Sequence, residues 1–166
     1  MKRTWTWIMA AALSVAGAAQ AADPVLIKIP RLTVEAAQRV AVATLAACRK
    51  EGVQIAVTVV DRGGHPLVVM RDTLAPDLTL EISRQKAYTA MAFNAATSSM
   101  ENRFTKPFQI GKVDGIVFSA GGLPISAVSN ILGGVGVSGA PTGEQDERCA
   151  AAGLKAIQDD LDLAPL

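Results

Sequence analysis

Cys48 and Cys149, the lone His65, and the carboxylates Glu144, Asp146 and Glu147 are the side chains from which chemistry could be built. Two cysteines in an exported chain point to a disulfide. The open alternative is a pair of buried free thiols, packed as small apolar residues. Neither belongs to a metal-binding cysteine pattern, and supporting ligands are missing, so a metal site there is not expected. The three carboxylates could hold a hard cation such as iron or calcium, or face the positive end of a helix as ordinary dipole partners. Ser138, within Gly136-Val137-Ser138-Gly139, lacks the G-x-S-x-G spacing of a nucleophile elbow. With one histidine, placed at a turn, a serine–histidine–acid relay has little to stand on. No catalytic residue is assigned, and the chain reads as a binding protein rather than an enzyme.

The elements that must position these residues follow from spacing. Val34, Ala37, Ala41, Leu45 and Cys48 recur as one face of a helix, with Thr33 as its N-cap and Gly52 as its stop. Cys149, Ala152, Gly153, Ala156, Ile157 and Leu161 form a second such stripe, and Thr142 with Gln145 fits a capping box at its start. If these two helices pack antiparallel, the end of the first meets the start of the last, and the two sulfurs come within bonding reach. Between them, residues 53–60 and 65–71 read as a hairpin around Asp61-Arg62-Gly63-Gly64. A helical period returns over 78–94, placing Lys86, Thr89 and Phe93 on one side. Residues 97–100 suit a further short helix, and 104–115, with Pro107, Phe108 and Gly111, read as a loop suited to a lid. Three short strands are predicted at 116–119, 123–128 and 131–138. This order fits an antiparallel sheet covered by helices, an α+β domain.

Gly133, Gly134, Gly136 and Gly139 strip side chains from the last of those strands, so another element or a flat ligand can approach its backbone closely. Gly134, Gly136 and Gly139 also satisfy G-x-G-x-x-G. They lie inside a strand near the end of the chain, not in the first turn of a βαβ unit, and a nucleotide site is not expected.

Lys2 and Arg3 precede an apolar run over residues 8–16, and Ala19-Gln20-Ala21 offers a signal-peptidase site. The run is too short for a bilayer core of about 30 Å. Cleavage near Ala21 is therefore expected, leaving residues 22–166 as one periplasmic or secreted domain without a stable membrane anchor. Loss of Lys2 and Arg3 would turn the formal charge from +1 to −1. Near-neutrality gives no electrostatic reason to expect nucleic acid as a partner.

Several motifs together resemble the GlcG/HbpS-like haem-binding family. They are Val59-Val60-Asp61-x-x-Gly64 with Arg71, Lys86-Ala87-x-Thr89-Ala90-x-x-Phe93-x-x-x-Thr97, Gly121-Gly122-x-Pro124-Ile125, Gly136-Val137-Ser138-Gly139 and Asp146-Glu147-x-x-Ala150. The likeness runs from about Thr33 to Leu161. It departs at residues 71–75, which lack the usual methionine after the arginine. The resemblance implies a profilin-like fold with a five-stranded antiparallel sheet flanked by helices, assembly as a homo-oligomer, and haem as ligand. Haem iron takes histidine, methionine, cysteinate or tyrosinate. His65 is then the first candidate for an axial ligand, with Met70, Met91 and Tyr88 behind it. No Cys-x-x-Cys-His occurs, so attachment would be non-covalent. Arg71 and Lys86 would neutralise a haem propionate or the carboxylate of a small organic acid, with Thr89, Gly121, Gly122 and Ser138 as further ligand-binding positions. An inward Lys86 needs a partner, for which Asp61 and Glu81 are the candidates. The second functional reading is an accessory or sensor protein for a small carboxylic acid or alcohol, without catalysis.

Overall fold

The computed structural model describes residues 24–104, 110 and 113–164. The expected signal segment, and Pro107, Phe108 and Gly111 of the expected lid, lie outside the described residues. Helix α1 (Val34–Lys50) begins where the Thr33 hydroxyl accepts the Ala36 amide at 3.2 Å. It ends at Glu51, with Gly52 beyond it at φ +75°. Strands β1 (Ala56–Asp61) and β2 (Pro66–Arg71) form the expected hairpin. Helix α2 (Leu78–Phe93), a 3-10 turn (Thr97–Met100), β3 (Gly122–Ala127), β4 (Asn130–Ser138), α3 (Gly143–Leu154) and the short α4 (Gln158–Asp162) follow. No described helix is long and apolar enough to cross a membrane.

The α+β architecture is as expected, but the sheet has four strands among the described residues, in the antiparallel order β2-β1-β4-β3. The fifth strand is a correction. Residues 116–119 were expected to pair, yet side chains take the amides around them. Val117 donates to the Thr89 hydroxyl at 3.0 Å and Ala120 to Glu101 at 2.7 Å. Phe118 turns into an aromatic group with Phe93 and Phe104. A segment pinned this way has no free ladder to offer.

Strand alternation divides the sheet into two different faces. Val57, Val59, Ile125, Val135 and Val137 join the apolar core under α1 and α3. On the other face, Thr58, Gly134, Gly136 and Ser138 lie toward α2. The Thr58 and Ser83 hydroxyls share a hydrogen bond of 2.9 Å. A Cβ at Gly136 would stand 2.1 Å from the Ser83 carbonyl, and one at Gly134 2.4 Å from that of Ala87. The bare strand therefore receives a helix, and a flat ligand has no room there. Helices α1 and α3 run antiparallel: Gln145 at the start of α3 bonds Glu51 at the end of α1, and Gly153 near the end of α3 faces Thr44 and Val40 further back along α1. Cys48 and Cys149 are joined between them as a disulfide, with an S–S distance of 2.04 Å.

Candidate functional site

Lys86 sits on the inward stripe of α2 with Thr79, Ser83, Ala87 and Ala90. Its ammonium donates 3.0 Å bonds to the Val137 carbonyl and to Asp146 Oδ2, with both side chains 4% exposed. The partner is thus neither Asp61 nor Glu81, as the sequence suggested, but Asp146. Glu81 is occupied by Arg84 and Gln85 on the surface of its own helix. Asp61 lies at the other end of the sheet. The overlooked signal was periodicity. Asp146 precedes Cys149, Ala150 and Gly153 at helical spacing, and all four are buried. Burial pushes the Asp146 carboxyl above its ordinary value, against the pull of Lys86 and the amides of Ala140 and Gly139.

The three carboxylates at the start of α3 do not converge. Asp146 turns in to Lys86, and its Oδ1 accepts the Ala140 amide at 3.0 Å. Glu147 accepts the Gly121 amide at 3.1 Å and the Ser98 hydroxyl at 2.7 Å. Among the described residues no three His, Cys, Asp or Glu side chains are grouped to hold a metal. What these carboxylates build is a clamp on the segment entering β3. There the Gly122 amide also donates to the Thr97 hydroxyl at 2.9 Å. Gly121 has φ +122°, and a Cβ on it would stand 2.8 Å from the Lys86 nitrogen, so the ammonium's seat depends on that glycine.

Thr79, Lys86, Ser119, Ser138 and Asp146 together line a cleft of about 380 Å³ between the start of α2, the end of β4 and the start of α3. Two of the expected binding residues, Lys86 and Ser138, thus share one hollow. Gly121 and Gly122 form the clamp behind it. Thr89, fully buried, donates to the Gln85 carbonyl and receives the Val117 amide. Arg71 pairs across β1 on the same rung as Ser138 (Arg71–Ala56–Ser138), but its guanidinium holds the Asp72 and Ala75 carbonyls. With buried Asp72, which binds Arg49 and the Ile55 amide, it shapes the stretch where the sequence departs from the family pattern.

His65 stands apart. It lies at the tip of the β1–β2 hairpin, about 16 Å along β1 from the rung that carries Ser138. Its side chain is 83% exposed, and Nδ1 is 3.5 Å from Asp61 Oδ1. That same oxygen accepts the amides of Gly63 and His65. Burial works to raise the Asp61 carboxyl, but those amides and the charges of His65 and Arg31 hold it below its ordinary value. Gly64 packs against the ring of Tyr88 and the end of Met91. Arg31 binds Asp61, and Arg62 binds the Ile131 carbonyl, so two guanidinium groups belong to this end.

A family described as haem degrading protein HbpS-like matches residues 32–155. An uncharacterised 15.0 kDa protein from the dhaT–dhaS intergenic region of Citrobacter freundii is 33% identical over 132 residues, covering 76% of this chain and 92% of that protein. A double mutant of HbpS from Streptomyces reticuli superposes with a TM-score of 0.77 at 37% identity, covering 86% of this chain and 98% of HbpS. PduOC in complex with haem has a TM-score of 0.71, covers 78% of this chain and 96% of its own, and at 24% identity speaks for the fold alone. The family model spans α1 through α3, and with it the sheet, the Lys86 cleft and the hairpin at Asp61; the chain belongs to the HbpS-like family.

Proposed function

We propose that this protein binds haem non-covalently, as a scavenging or sensing protein of an oxidising extracytoplasmic compartment. The observation that carries this reading is the HbpS-like match over residues 32–155, from just before α1 through α3. The residues can be tested against the group. Among the described residues the Lys86 cleft presents no histidine, methionine, cysteine or tyrosine, so iron would find no axial donor among them. The hairpin tip does present one. His65 is exposed, Asp61 faces its Nδ1, and Nε2 is left to bind metal, the arrangement in which a carboxylate orients a ligating imidazole. Tyr88 and Met91 beside Gly64 offer apolar surface, and Arg31 and Arg62 offer charge for propionates. Bound there, haem would supply a redox-active iron. The side chains hold and orient it.

Both cysteines are engaged in the disulfide, which rules them out as ligands and suits an oxidising compartment. Export through the Ala19-Gln20-Ala21 site agrees with this. The chain is read as a binding protein because its one histidine lies exposed at the hairpin tip, away from the Lys86 cleft, while the family's description names haem degradation. Assembly with further copies is proposed on the exposed apolar residues Val25, Leu26 and Ile27 preceding α1. Titrating haemin into the purified protein tests the main reading. A saturable, shifted Soret band is expected; a band matched by denatured protein contradicts it. Following the band for hours separates stable binding from the degradation in the family's description.

A further inference from the structure

The cleft beside Lys86 gathers polar groups that the haem reading does not use. Ser138 is 6% exposed, and its hydroxyl bonds to none of the described residues. Among the described residues no fully enclosed side-chain polar atom lacks a partner, and Ser138 lines the cleft, so this oxygen opens onto it. Lys86 has three N–H groups, of which Val137 and Asp146 take two. Thr79 spends its proton on the Pro76 carbonyl at 2.6 Å, which leaves its oxygen to accept. Ser119 adds an exposed hydroxyl at the mouth. Pro76, Leu78 and Ile82 make the opposite wall apolar.

The charge in this hollow is already balanced. Lys86 is matched by Asp146, and the positive end of α3 carries Glu144 in its first turn as well. A carboxylate entering here would face Asp146 across a single shared ammonium, a like-charge contact that the site cannot offset. A hydroxyl group suits the lining better, since it can both accept from Lys86 and donate to Ser138 or Thr79. The volume, about 380 Å³, is at the small end of ligand pockets.

We propose that this cleft binds a small uncharged hydroxylated molecule, an alcohol or polyol, anchored by Ser138 and Lys86 with its carbon skeleton against Ile82 and Leu78. The site is distinct from the hairpin tip, so it stands or falls apart from haem. Glycerol and ethylene glycol are the probes, titrated into 15N-labelled full chain and followed by amide chemical shifts. Saturable shifts confined to residues 76–86 and 138–146 are expected, with acetate and glycolate binding more weakly. Ser138→Ala should weaken glycerol binding about three- to tenfold while leaving the rest of the spectrum intact. Ile82→Trp, which fills the apolar wall, should abolish the shifts, and His65→Ala should leave them unchanged. Shifts that are absent, scattered or non-saturable would overturn the proposal. So would equal affinity in Ser138→Ala, or tighter binding of the carboxylates.

Discussion

Lys86 and Asp146 place a full pair of charges in a layer built largely of glycine, alanine and hydroxyl side chains. Removing one partner leaves the other charge buried and unmatched, so Asp146→Ala should lower stability by about 3–5 kcal/mol in urea unfolding. Replacing both, as Lys86→Met with Asp146→Leu, should recover most of that loss, because desolvation already opposes the pair. Asp61 behaves differently. Its folded-state carboxyl titrates below its ordinary value. The stability it contributes is therefore present above the ordinary carboxylate range and drains away as pH falls through the lowered value. Asp61→Asn should flatten unfolding curves measured from pH 6 down to pH 2 over that acidic stretch. Lys86 was legible as an inward lysine from its helical register. Asp146 was not paired with it, because 60 residues separate the two and only the packing of α2 and α3 across the end of β4 brings them together.

Helix α2 rests on β4 because two positions there have no side chain. Gly136→Ala would put a methyl 2.1 Å from a helical backbone oxygen, which no rotamer change relieves. The helix must lift, and a loss of about 1–3 kcal/mol is expected in the same urea assay. Thr79, Ile82 and Lys86 would lift with it, so the cleft should widen. The glycine spacing announced a close approach, and the hairpin, the N-caps Thr33 and Thr142 and the first cysteine stripe could be read from periodicity and turn chemistry, whereas the second stripe breaks after Leu154 into a 3-10 turn and α4. The misplaced strand shows where such reading stops. Residues 116–119 have strand-like composition, but Thr89 and Glu101 capture the amides of Val117 and Ala120. Local preference gives way once a partner from elsewhere in the chain takes the hydrogen bond.

The whole molecule is a sheet held between α2 on one face and the tied pair α1 and α3 on the other. The tie closes a loop of 101 residues, and its reduction should cost about 4–5 kcal/mol if chain entropy dominates. Comparing unfolding midpoints with and without a thiol reductant measures that contribution. At this scale the two ends of the sheet have different characters, a polar cleft at the Ser138 end and an exposed imidazole with two arginines at the other. Motif order in the sequence pointed to the family, yet it grouped His65, Arg71 and Lys86 into one imagined site, since spacing along a chain does not report which end of a strand a residue reaches. The central claim is that haem is held at the hairpin end through His65. Parallel haemin titrations of the wild-type protein, His65→Ala and Ser138→Ala test it most directly. The account predicts that His65→Ala alone loses the wild-type Soret position, while Ser138→Ala titrates like wild type. An unchanged spectrum for His65→Ala, or its loss in Ser138→Ala, would contradict it.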